Sequence, residues 1–443
     1  PSVAVVRRAL TIFVEQGTDG LGPALHRREA TASDELRAVL ISGAAALDDQ
    51  AGPLETYRRD PSELVRTVAA IHRAARCPEG PTERPTDLSH IIDRIDGEGR
   101  RTLAFAIGNA AAVSFRPALE VMLEDPVSEV RHSAVDATVR LGDPAALPSL
   151  TRRLADRPLQ IHLYRAIAAF GSHGFDHLRR RLDGADAPDT VRHRLPRAIG
   201  EFGTPRAVTL LTEHLTREPD PVVRDRLVAE LERLQMLDES LTPPTALLEE
   251  AIAPLIGRAY RQLDRRAKLK DLVDPADRHL ETYLLLRQLL TDRASRCRDL
   301  TLRLVGLRYP HDDIAGVHRG LDSQQPPRRR RARRLLGHLL PASLEEAVVE
   351  LFAADDDTPD LEAAGDFYTP QQLSPARFWD QLVGSGGEPL VVLAAELARQ
   401  TGIEALRAPL ADALEWTDGE AKTTVERALA ALTPPQPPPR LLG

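Results

Sequence analysis

Asp125-Pro126-Val127-Ser128-Glu129-Val130-Arg131 opens a pattern that returns three times before residue 235. Val130-Arg131 is followed by Leu159-Gln160, Val191-Arg192 and Val223-Arg224, at steps of 29, 32 and 32 residues. Each dipeptide starts a stretch of helical periodicity. The first three stretches run to Gly142, Gly171 and Gly203, and Gln235 holds the same slot in the fourth. Aligned on those positions, four columns stay in register. They begin with Val130, Leu159, Val191 and Val223, then Ala134, Leu163, Leu195 and Leu227. Ala137, Ala166, Ala198 and Glu230 follow, and Leu141, Phe170, Phe202 and Leu234 close the set. Within one helix these positions are spaced 4, 3 and 4 apart, so they line one face. A period of roughly 30 residues marks stacked helix pairs, in which no pair buries both faces alone.

The punctuation agrees. Gly142-Asp143-Pro144 and Gly203-Thr204-Pro205 each supply a left-handed glycine, an N-cap and a proline at the first helical position. Such a turn reverses the chain and gives an antiparallel pair. Pro196 lies inside its first helix and is predicted to kink it, because it cannot donate to the Arg192 carbonyl. Small residues in the third column let neighbouring helices approach closely. Glu230 breaks that column and Gln235 replaces the glycine, so the array is expected to fray there.

Composition sets the bounds. At 443 residues the chain is too long for one compact core. Its hydrophobic 42% is mostly Leu, Ala and Val with only 4% aromatic, which favours helix over sheet. A net charge of −8 argues against bulk nucleic-acid binding. Lys268, Lys270 and Lys422 are the only lysines, a bias read as compositional. Cys77 and Cys297 lie far apart with no CxxC unit, so a reducing compartment is expected, with both thiols acting as small buried hydrophobes. The longest apolar runs, 104–113 and 390–395, fall well short of the roughly 20 residues that span a bilayer. A soluble, cytoplasmic chain is the expectation, and the absence of an initiator Met before Pro1 points to a fragment or processed product.

Along the chain, residues 1–95 read as an irregular helical start, with helices at 2–15, 34–47 and 62–75. Residues 96–240 hold the clear repeats, and the LTPPT stretch at 241–245 marks a boundary. The segment 246–353 is predicted to contain two long helices, 247–272 and 275–307, followed by repeat-like pairs. An acidic loop spans 355–375, C-terminal helical repeats fill 371–432, and 433–443 is a proline-rich tail.

The residues from Asp125 to Arg131, and Asp220-Pro221-Val222-Val223-Arg224, resemble the opening motif of HEAT repeats. Leu141-Gly142-Asp143-Pro144 resembles their inter-helix turn. The resemblance implies an all-α fold, an α-solenoid or superhelix of HEAT-like antiparallel helix pairs. It also implies a structural ladder in which Arg and Asp bond across repeats: Asp125, Arg131, Arg192, Asp220 and Arg224, with turns at Gly142, Gly171 and Gly203. Gln160 departs from that pattern and is expected to interrupt the ladder. In the second half, the long helices and the stretch 304–314 precede an arginine-rich helix and residues 390–414. This layout resembles the soluble HEAT region that follows the membrane domain in some bacterial ADP/ATP-carrier-like and major-facilitator-type transporters. The likeness implies a module at the cytoplasmic face of the inner membrane, joined to a protein partner or a covalently linked membrane domain. The chain contains neither the transporter helices nor a nucleotide-binding β-roll, so no residue of those functions carries over.

Candidate chemistry is sparse. His132 and His193 share a column, but His162 sits one position later, about 100° round the helix, so a ladder of metal ligands lacks a common register. His173 and His177 are four apart without an HExxH or Cys partner. Some helical-repeat enzymes hold iron on His-Glu pairs, and no His-Glu dipeptide occurs here. There is no GxSxG, GxGxxG or Walker A loop, so no catalytic residue and no cofactor is nominated. The unusual feature is Arg328, Arg329, Arg330, Arg331, Arg333 and Arg334, six guanidinium groups within seven residues. They read either as a solvated face paired with Asp312, Asp313 and Asp322, or as an anion site for lipid headgroups or a nucleic-acid backbone. Scarce aromatics argue against nucleic acid. The expectation is a non-enzymatic scaffold or regulatory module that binds a protein partner. A lyase or other enzyme on the same solenoid, and an anion-binding module, are the alternatives.

Overall fold

In the computed structural model, which describes residues 2–16, 25, 32–47, 52–76, 88–184, 187–309, 314–353 and 360–432, the repeat columns point inward. All members of the first three columns are buried, and of the fourth Leu141 and Leu234 are buried while Phe170 and Phe202 are half-buried. Among the described residues every regular element is a helix. The fold is all-α, of the α-solenoid class. Two compact units divide the chain, 1–214 with 218–230, and 215–217 with 231–443.

The first unit contains α1 (Val3–Gln16), α2 (Asp34–Leu47) and α3 (Glu63–Arg76), so the irregular start belongs with the repeats. It continues through α4 (Gly97–Ala110), α5 (Arg116–Met122), α6 (Ser128–Leu141), α7 (Leu147–Arg152), α8 (Gln160–Ala169) and α9 (Ser172–Asp183). Next come α10 (Asp189–Arg192), α11 (Leu195–Gly200), α12 (Pro205–Arg217) and α13 (Pro221–Leu237), which runs on into the second unit. The kink expected at Pro196 is a full interruption. The helix stops at Arg192 and restarts at Leu195, which places the proline in a first turn where its missing N–H costs nothing.

The small third column has its predicted use: a Cβ on Gly108 of α4 would sit 2.9 Å from the Ala137 Cα of α6. Glu230 is accommodated for the same reason in reverse. Its side chain lies against Gly200, where any Cβ would collide with the carboxylate, and Arg197 stands 3.8 Å away. Gln235 does not end its helix, which continues to Leu237. Within the second unit it donates to the Leu307 carbonyl at 2.8 Å and to Thr242 at 3.2 Å.

His72 on α3 is almost fully buried, with Nε2 3.0 Å from the Ser42 hydroxyl of α2. Burial, with Arg76 adding to it, lowers its pKa from 6.5 to about 3. The unfolded chain therefore binds a proton below about pH 6.5 that the folded chain refuses, and stability falls as the pH drops through that window. At about pH 5 this one group is expected to cost about 2 kcal/mol. Urea titrations at about pH 7.5 and 5 should show the loss, and His72→Leu should lack this part of it.

The second unit is built on α14 (Thr245–Leu272) and α15 (Glu281–Arg308), packed along one another. The second long helix begins at Glu281 rather than near 275. Asp274 first closes a turn, accepting from the Ala276 N–H at 2.8 Å and, through its carbonyl, from Asp277 at 2.9 Å. Beyond α15 lie α16 (Ile314–Leu321), α17 (Pro326–Leu339) and α18 (Ala342–Leu351). A helix that periodicity did not single out, α19 (Pro375–Gly386), is capped by Ser374 and brings Phe378, Trp379, Leu382 and Val383 into the core. The closing helices are α20 (Glu388–Thr401), α21 (Arg407–Ala413) and α22 (Gly419–Ala431). No helix among the described residues is long and apolar enough to cross a membrane. Cys297 is a buried thiol; Cys77, the tail 433–443 and most of the acidic stretch of the 355–375 loop lie outside the described residues.

Candidate functional site

Arg131 binds two ways at once. Its Nη1 donates to the Asp125 carbonyl at 2.7 Å and the Pro126 carbonyl at 3.1 Å, and its Nε faces Asp156 of the following repeat at 3.1 Å. Arg224 makes the first contact with the Glu218 and Pro219 carbonyls at 2.8 and 2.7 Å, and Arg66 with those of Asp60 and Pro61 at 2.5 and 3.0 Å. The carboxylate that opens each turn ties down the N–H two residues on: Asp60 to Ser62, Asp125 to Val127, Glu218 to Asp220, at 2.8–2.9 Å. It also receives the arginine of the preceding repeat. Arg37 pairs with Asp60, Arg100 with Asp125 at 2.6 Å, and Arg192 with Glu218 at 2.6 Å.

This geometry moves one assignment. Asp220 is not the rung carboxylate of its turn. It caps α13 through Val222 N–H at 2.8 Å and meets His193 at 3.0 Å, while Glu218 takes the slot that Asp125 holds. Gln160 donates to the Leu154 carbonyl at 3.0 Å and, being uncharged, forms no ion pair. Arg192 spans a longer loop, reaching the Leu182 and Gly184 carbonyls at 3.1 and 3.2 Å. Gly142 (φ +67°) ends α6 in the left-handed region, and Gly171 (φ +57°, ψ −129°) takes a conformation that excludes side chains; Gly203 also has positive φ.

A cavity of the first unit, about 1010 Å³, is a groove along α1, α4, α6 and α8. Five arginines and three carboxylates line it, together with His132 and His162. The two histidines, out of register in sequence, are brought into ring contact with centroids 5.4 Å apart. His132 Nδ1 donates to the Ser128 carbonyl at 2.8 Å, and His162 Nε2 lies 2.8 Å from Asp136. Asp136 raises the His162 pKa above its ordinary value, against the opposing effect of burial.

Residues 87–171 and 155–232 match the family described as HEAT repeats. Over those residues the chain is similar to HEAT repeats. No curated protein matches the chain. The HEAT match spans the turns at Asp125 and Glu218 and the groove-lining helices α4, α6 and α8, and it leaves the second unit without a family assignment.

Elsewhere, His177 is locally bonded to Thr151 at 3.0 Å, and burial lowers its pKa. Among the described residues no group of three or more His, Cys, Asp or Glu could hold a metal ion. The arginine cluster lies on α17. Arg328, Arg329, Arg330, Arg331 and Arg334 are exposed and Arg333 is half-buried, while Ala332, Leu336 and Gly337 face inward. Arg329 donates to the Ser323 carbonyl at 3.3 Å. Asp322, expected to pair with the cluster, instead faces His318 at 3.7 Å; Asp312 and Asp313 lie outside the described residues. A shallow groove of about 550 Å³ between α16 and α17 holds Arg328 and Arg331 beside Leu335.

Proposed function

We propose that the chain is a non-enzymatic HEAT-repeat scaffold that binds a protein partner along the groove of its first unit. The observation that carries this reading is the groove itself, about 1010 Å³ of mixed polar and apolar surface crossing successive HEAT repeats. Stacked repeats create extended surfaces of this kind, and partners are bound along them rather than in closed pockets. The likeness of the second half to transporter-linked HEAT regions finds no matching relative, so the proposed role is the repeat surface's own.

A photo-crosslinking residue placed at Ser133, inside the groove, should capture one partner in cells, whereas the same group at Arg180, on α9, should not. Arg165→Glu at the groove rim should suppress the adduct. Equal capture from both positions, or none from Ser133, overturns the reading.

A further inference from the structure

We infer that the floor of this groove is a carboxylate site and that the partner presents an acidic amphipathic helix to it. The inference rests on the groove being the partner surface. Arg140 lies over the Phe105 ring, 5.6 Å from its centroid, and its Nε is buried without a hydrogen-bond partner among the described residues. Arg7, with a side chain only 8% exposed, gives Nη1 to Glu98 at 2.8 Å, and its buried Nη2 has no hydrogen-bond partner among the described residues. Arg101 takes the other oxygen of Glu98 at 2.9 Å and leaves its Nε in the same condition. One carboxylate thus serves two guanidiniums, and among the described residues the third has no hydrogen-bonded acid. Asp136 and Glu15 lie close enough to favour the charge on Arg140, but Asp136 is held by His162 at 2.8 Å.

Buried donors left unmade are costly, and charged ones more so. A carboxylate offers about four acceptor sites and matches the planar guanidinium fork. Ala4, Ile12 and Val139 border the same floor, with Ile12 exposed, so a ligand must bring apolar side chains beside its acids. A small free carboxylate fills little of the volume. A nucleic-acid backbone would pass Glu15, Glu129 and Asp136, and the groove's Phe105 is already covered by Arg140.

The test uses fluorescence anisotropy with a labelled helical peptide carrying Glu at i and i+4 and Leu on the adjoining face. Its Glu→Gln counterpart and an oligonucleotide of equal charge are the comparisons. The Glu peptide should bind, and the Gln peptide roughly tenfold more weakly or worse. Arg140→Gln should reproduce that loss, Arg140→Lys should restore part of it, and Arg331→Gln on α17 should leave binding unchanged. Equal binding of the two peptides, undiminished binding by Arg140→Gln, or tighter binding of the oligonucleotide overturns the proposal. If Arg140→Gln fails to fold, the peptide pair on the parent chain decides. A partner crosslinked from Ser133 without this Glu dependence sinks the carboxylate site and leaves the scaffold reading standing. Glu-dependent binding with no crosslinked partner does the reverse.

Discussion

Arg192→Leu is expected to lower the unfolding free energy by about 3–5 kcal/mol, the usual cost of removing one partner from a buried charge pair. Glu218 is fully buried, and Arg192 is one of the groups that make its charge tolerable. Burial pushes the Glu218 carboxyl up. Hydrogen bonds from His214 at 2.7 Å, Arg192 at 2.6 Å and the Asp220 N–H at 2.9 Å more than reverse that and hold it at about 2. Because the folded pKa lies below the unfolded value, this stabilisation is present above about pH 4.5 and is lost as the pH falls towards 2. Denaturant unfolding near neutral pH measures the effect. Adding Glu218→Gln to Arg192→Leu should recover part of the loss, since the uncompensated charge is then gone. A single variant as stable as the parent would mean that Glu218 is satisfied without its arginine.

The second large effect belongs to the other unit. Trp379 is 1% exposed and packs edge-on against Phe378, with ring centroids 5.1 Å apart and planes at 74°. The core cluster they belong to also holds Leu269 from α14, Leu286 and Leu290 from α15, and Leu390 and Val391 from α20. Truncation removes the transfer energy of the indole and leaves a cavity that the surrounding helices cannot easily close. Trp379→Ala should therefore cost about 3–5 kcal/mol. Trp416, 47% exposed, is the internal control, and its alanine variant should fall within about 0.5 kcal/mol of the parent. Comparable midpoint shifts for the two variants in thermal unfolding would contradict this placement of the core.

What was legible in the sequence was whatever repeats. The buried columns and the positive-φ glycines recur at one period, so each repeat confirms its neighbours. The turns were less legible because their spacing drifts. Matching Asp220-Pro221 to Asp125-Pro126 set Asp220 opposite Asp125, yet the acid that ties its turn stands six residues before the arginine, as in Asp60-Pro61…Arg66, Asp125-Pro126…Arg131 and Glu218-Pro219…Arg224. That acid–proline–arginine spacing was readable and would have carried the array back into the irregular start. Pairing of His132 with His162 was not readable, because it depends on how far α8 slides past α6. Nor could sequence show that Arg140 would be left without a hydrogen-bonded acid, since four helices contribute to that floor. Helix α19 escaped because its apolar residues fall in two adjacent pairs beside a proline-rich loop, with too few turns to display a period.

The arginine of each turn addresses main-chain oxygen, which every amino acid supplies equally. That part of its grip is therefore indifferent to which side chains occupy the turn and to how many residues the loop contains. Successive anchors at Arg66, Arg100, Arg131, Gln160, Arg192 and Arg224 stand 34, 31, 29, 32 and 32 residues apart, and all six still find a carbonyl. A joint of this kind lets a lineage rewrite and resize its loops while the stacking survives. Variation is thereby steered into the surfaces that choose partners and away from the hinge that holds them in line.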